Sequence, residues 1–101
     1  MHLVQILLPR TDNSGQPFEK EAFDSLKEEL ADRFDGVTAY LQAPAEGIWQ
    51  QGARSDKDDI VIFEVMTGEM DMADWRDRRS RLERRFRQDT VIIRYMPMAL
   101  V

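Results

Sequence analysis

Cysteine is absent from all 101 residues. That excludes a disulfide scaffold, a thiolate metal site and a thiol nucleophile, and leaves the redox compartment open. The sole histidine is His2, beside the amino terminus, so a histidine metal site or a histidine-based triad has nothing to be built from. Five glycines and four prolines are few, and they spell none of GxxxxGK(S/T), GxGxxG or GxSxG. No apolar run approaches the roughly 20 residues that span a bilayer. The opening MHLVQILLPR lacks the basic leader and small-residue cleavage site of a secretory signal. These absences predict a cytoplasmic protein with no membrane partner and no cofactor. Asp56, Asp58 and Asp59 resemble a calcium loop only loosely, lacking its glycine and terminal glutamate, and read as solvated turn acids.

What is present suits one folded domain over residues 1–101, with 43% hydrophobic residues and a formal charge of −5. LVQILL (3–8) reads as a strand before a turn-rich loop at 11–17. Residues 18–34 predict a helix whose apolar stripe is Ala22, Phe23, Leu26, Leu30 and Phe34. Pro17 suits its first turn and Gly36 its end. VTAYLQ (37–42) alternates as a strand, residues 43–58 form a polar connection, and DIVIFEVM (59–66) is a strong strand. Asp71 is positioned to cap a second helix running to about Arg87, and TVIIRYM (90–96) is the last strand before Pro97. The order β-α-β-β-α-β predicts a ferredoxin-like α+β fold, a four-stranded antiparallel sheet with both helices on one face and the first and third strands central.

The second helix carries WRDRRSRLERRFRQ, which holds seven of the eleven arginines. A nucleic-acid helix would gather its bases on one face. These surround a stripe of Met72, Trp75, Leu82 and Phe86, and the acidic remainder of the chain repels nucleic acid. No nucleic-acid partner is expected. Asp74–Arg78 and Asp77–Arg81 have the favourable i,i+4 order, so the helix reads as salt-bridge-laced. Arg79 falls inside the apolar stripe, where its stem packs and its head reaches an acid or the sheet edge. A smaller share of the reading goes to docking of an acidic partner.

Strand alternation divides the sheet. Val4, Ile6, Leu8, Val37, Ala39, Leu41, Val61, Phe63, Val65, Val91, Ile93 and Tyr95 should lie under the helices. The opposite face, rich in Leu, Ile and Met, is too apolar to stand open on a monomer, and a second copy of the chain is its simplest cover. Gln5, Tyr40, Glu64 and Arg94 interrupt that face. Glu64 and Arg94 can satisfy each other with Gln5 between them, as a buried pair fixing dimer register. The functional alternative is a polar-floored pocket for a small molecule, with Glu64 as general base, Arg94 as anion holder and Tyr40 as donor. Trp49, in the loop between the second and third strands, is either a plug for the core or a lid on that pocket.

The features RFDGVT (33–38), EGIW (46–49), DDIVIFEV (58–65), Trp75 and RRFRQDTVII (84–93) are similar to small bacterial proteins of unknown function, in which a Gly-x-Trp loop precedes an apolar strand and Phe-x-Gln precedes the last one. The resemblance implies the same fold and a single domain, with no activity to carry over. The layout also resembles the dimeric α+β barrel proteins, which include small monooxygenases, isomerases and haem-degrading enzymes, a likeness of fold that does not determine function. Haem-using members need an axial ligand, usually histidine, and this chain offers only His2. Three readings therefore stand. The first is a homodimeric domain with a small-molecule pocket. The second is a cofactor-free oxygenase or isomerase acting on an anionic or aromatic metabolite. The third is a regulatory module docking an acidic partner through the arginine helix.

Overall fold

The computed structural model describes residues 1–34, 36–42 and 60–101, with Tyr40, Leu41 and Gln42 placed by backbone only. Its elements are β1 (His2–Pro9), α1 (Lys20–Arg33), β2 (Gly36–Gln42), β3 (Ile60–Thr67), α2 (Met72–Arg85) and β4 (Ile92–Pro97). The strands form one antiparallel sheet in the order β2-β3-β1-β4. This is the ferredoxin-like α+β arrangement that the element order predicts, with β1 and β3 in the middle.

The alternation of the strands sets which side is dry. Val4, Ile6, Leu8, Phe63, Val65 and Val91 are buried against Leu26 and Leu30 of α1 and Trp75, Leu82 and Phe86 at α2. Ala22, Phe23, Val37, Ala39, Val61 and Ile93 pack around them, partly buried. Both helices thus cover one face. Each fully buried Val, Leu, Ile or Phe among them contributes about 1.5–3 kcal/mol by leaving water. Phe23 stacks on Phe86 at 5.6 Å and on Phe63 at 6.5 Å, joining α1 to α2 and to the sheet.

Several local details depart from the sequence reading. The first helix starts at Lys20, not at residue 18. Pro17 instead bridges Thr11, and the N–H of Phe18 donates to the carbonyl of Arg10. This small closure turns Phe18 inward, edge-on to Phe86 at 5.2 Å. Tyr95 shares the helix-side face, paired with Val4, but is not buried there. It is 47% exposed on the edge strand, against the His2 ring. Met72, at the start of α2, is exposed instead of lying in the stripe.

The end of α2 is a Schellman turn. The N–H of Gln88 donates to the carbonyl of Glu83 and that of Arg87 to the carbonyl of Arg84. The residue that must go left-handed is Arg87, with φ 47°. Glycine takes that conformation without cost, whereas a side chain pays about 1 kcal/mol. The start of α2 is as expected, with the Asp71 side chain accepting from the N–H of Asp74 at 3.1 Å. Among the described residues no helix is long and apolar enough to cross a membrane.

Candidate functional site

The sheet face turned away from α1 and α2, helix-free among the described residues, is organised in rows across the strands. The register aligns Thr38, Glu64, Gln5 and Arg94 in one line over β2, β3, β1 and β4. On one side lies the row Tyr40, Ile62, Leu7, Ile92, and on the other Gly36, Met66, Leu3, Met96. A polar line therefore runs between two rows that are largely apolar. Same-face neighbours along a strand stand about 6.5–7 Å apart.

Gln5 holds the polar line together. Its Nε2 donates to Glu64 Oε2 at 2.8 Å, and its Oε1 accepts from Arg94 Nε at 2.7 Å. A primary amide is suited to this position, since its two ends match an anion on one side and a cation on the other. Both bonds involve a charged group and are stronger than neutral ones. The sequence reading placed Gln5 between Glu64 and Arg94, and the geometry does the same, with one difference. The pair is relayed through the amide, and Arg94 is exposed while Glu64 is partly buried.

Around the line, Ile62 is 4% exposed, whereas Ile92 is 55% and Met96 41% exposed on the edge strand. Leu3, Leu7 and Met66 are partly buried. Gly36 lets the Met66 side chain lie flat across β2, because the Met66 methyl occupies the space a β-carbon at Gly36 would take. Tyr40 is placed by the register opposite Ile62, one row from Glu64; its side chain falls outside the described atoms. Trp49, the acids Asp56, Asp58 and Asp59, and the rest of the 43–58 connection lie outside the described residues.

A second constellation, on the helix side, was not singled out from sequence. Asp12 is the buried charged residue among those described, at 8% exposure. Its Oδ1 accepts from the N–H groups of Ser14 at 2.8 Å and Gln16 at 2.9 Å, and its Oδ2 from Arg87 Nε at 3.0 Å. The Gln16 N–H above all holds the carboxyl below its ordinary 3.8. Burial opposes this, and the Ser14 N–H and the Arg87 guanidinium add to the lowering. Gln88 Nε2 donates to the carbonyls of Thr11 and Phe86. The first loop is thereby latched to the end of α2. The turn around Asp12 was legible in TDNSGQP, but its partner 75 positions away was not. Beside the latch is an open depression lined by Asn13, Ser80, Glu83, Arg84, Arg87, Gln88 and Asp89.

The arginine helix corrects one expectation. Arg79 is exposed and has no ion pair among the described residues. The half-buried arginine is Arg78, whose guanidinium lies 5.2 Å over Phe34 and 5.4 Å over Trp75 and pairs with Asp74 at 3.3 Å. The apolar stripe is rotated towards α1, where Phe34 stacks on Trp75 at 5.2 Å, and that rotation brings residue 78 in and leaves residue 79 out. Arg81–Asp77 is formed as expected, at 2.9 Å, and Arg85 reaches Glu29 of α1 at 3.0 Å.

The fold defines a small α+β domain whose two helices, α1 and α2, lie on one face of its sheet. Compared with known protein families, curated proteins and solved structures, the chain matches none.

Proposed function

We propose that this domain works as a homodimer packed through its helix-free sheet face, and that the Thr38–Glu64–Gln5–Arg94 line floors a pocket for a small anionic or aromatic molecule between the two sheets. The observation that carries the reading is the satisfied polar line set between apolar rows on a face without helices. Ile92 and Met96 stand exposed beside the line, and exposed apolar surface is costly to hydrate. Face-to-face sheets pack about 10 Å apart, which accommodates apolar rows in contact with a polar gap between them. Arg94 is the group to hold an anion and Glu64 the group to accept a proton or donor.

The test has two arms. Light scattering behind a sizing column should give a two-chain mass for the native protein over a range of concentrations. Ile92→Asp, at a position already half exposed in the single chain, should give a one-chain mass with the same circular dichroism. A one-chain mass for the native protein at every concentration rejects the dimer. For the pocket, benzoate serves as an anionic aromatic probe, followed by NMR at the Gln5 side-chain amide. Arg94→Met should abolish the shift, and a shift unchanged in that variant rejects Arg94 as the anion holder.

A further inference from the structure

The seven arginines of the α2 segment divide by flank. Arg78, Arg81 and Arg85 face α1 or their own acids and are neutralised by Asp74, Asp77 and Glu29. Arg87 is taken by Asp12. Arg76, Arg79 and Arg84 are exposed and have no ion pair among the described residues. On the helical wheel they spread over about 140°, from the margin beside the apolar stripe to the outer face, on the side of α2 opposite Arg78 and Arg85.

That flank overlooks β4. Glu83, which lies between Arg76 and Arg79 on the helical wheel, is engaged by the N–H of Val91 at 3.0 Å, immediately before β4 begins. In the sheet β4 pairs with β1 alone, so its outer edge has no strand partner among the described residues. Two independent features therefore lie near each other, three cations outside any ion pair and a strand edge without a strand partner, both among the described residues.

We infer that the β4 edge, together with Arg76, Arg79 and Arg84, is a docking site for an extended acidic segment of a partner protein. Pairing along β4 supplies backbone hydrogen bonds, and the arginine flank selects the sequence. The dimensions agree. From Arg76 to Arg84 the helix rises about 12 Å, and three alternate side chains of an extended segment span about 13 Å. This site is separate from the sheet face proposed for dimerisation.

The test uses a fluorescein-labelled peptide of alternating glutamate and threonine, with a lysine–threonine peptide and a single-stranded oligonucleotide as comparisons. Anisotropy should show binding of the acidic peptide alone, weakening as salt is raised. Hydrogen exchange should slow at the outward amides of β4. Arg76→Glu with Arg79→Glu and Arg84→Glu should weaken binding about tenfold or more with an unchanged melting temperature, since none of the three is in an ion pair. If that variant is unfolded, the three Arg→Gln changes take its place and should weaken binding in the same direction. No binding, binding indifferent to these changes, unslowed β4 amides, or equally tight capture of the oligonucleotide overturns the proposal.

Discussion

Asp12 and Arg87, 75 positions apart, meet at 3.0 Å where the first loop closes on the end of α2. The contact explains an otherwise awkward choice of residue. Arg87 occupies the left-handed position of a Schellman turn, which glycine fills most easily. An arginine there is carried because its side chain reaches the carboxylate and lies 5.5 Å over the Phe18 ring.

Two substitutions separate backbone from side chain at this point. Arg87→Ala loses the ion pair and keeps the left-handed strain, whereas Arg87→Gly loses the ion pair and relieves the strain. Urea denaturation should find the glycine variant more stable than the alanine variant by about 1 kcal/mol. Equal stabilities would mean that the turn does not hold residue 87 at positive φ.

The same carboxylate predicts an acid response. Its folded pKa lies below the ordinary 3.8, so the folded state binds the proton less readily than the unfolded one. The resulting stability is complete above the unfolded value and fades as pH falls below about 4 through the folded value. Asp12→Asn should therefore melt lower than the native protein at pH 7, with the gap narrowing as pH is taken from about 4 to 2. A constant gap over that range would remove Asp12 from the acid response.

Glu64→Gln is a mild change by this geometry. Arg94 is held by Gln5 and is exposed, so neutralising Glu64 strands no buried charge. The cost should stay under about 1.5 kcal/mol, against about 3–5 kcal/mol for breaking a buried pair. Gln5→Leu removes both hydrogen bonds of the line at once and should cost more than Glu64→Gln. Thermal unfolding of the two variants measures the order, and a reversed order would mean that Gln5 is not the link.

Neighbouring arginines on α2 should behave differently. Arg78→Ala removes a guanidinium stacked on Phe34 and Trp75 and should cost about 1–2 kcal/mol. Arg79→Ala should change stability by less than about 0.5 kcal/mol. Chemical denaturation of the two variants checks the rotation of the helix stripe, and equal effects would contradict it.

The sheet was readable from the sequence because strand alternation leaves little freedom. Once Val4, Ile6 and Leu8 face the helices, Gln5 must face away, and register then sets Glu64 and Arg94 beside it. Helix phase is less constrained. A stripe centred on Trp75 admits either Arg78 or Arg79 at its margin, and the choice is made by Phe34 of α1, which is distant in sequence. The partnership of Asp12 with Arg87 was hidden for a related reason. A carboxylate in a turn rich in Ser, Asn and Gly is already satisfied locally by backbone N–H groups, so nothing in the loop asks for a cation. Likewise Phe18 looked like the first helical residue until the Thr11–Pro17 bridge showed the chain closing before the helix begins.

The central place of β1 has a consequence for biosynthesis. This strand emerges from the ribosome before every other element described, yet both of its neighbours, β3 and β4, come from the later part of the chain. The partners of its polar residue and of the adjoining loop, Arg94 and Arg87, also arrive late. The sheet can close only when β4 has been made, and until then β1 presents an apolar strand with at least one edge unpaired. Such a species is prone to aggregate, and that exposure ends only when the last strand inserts beside the first.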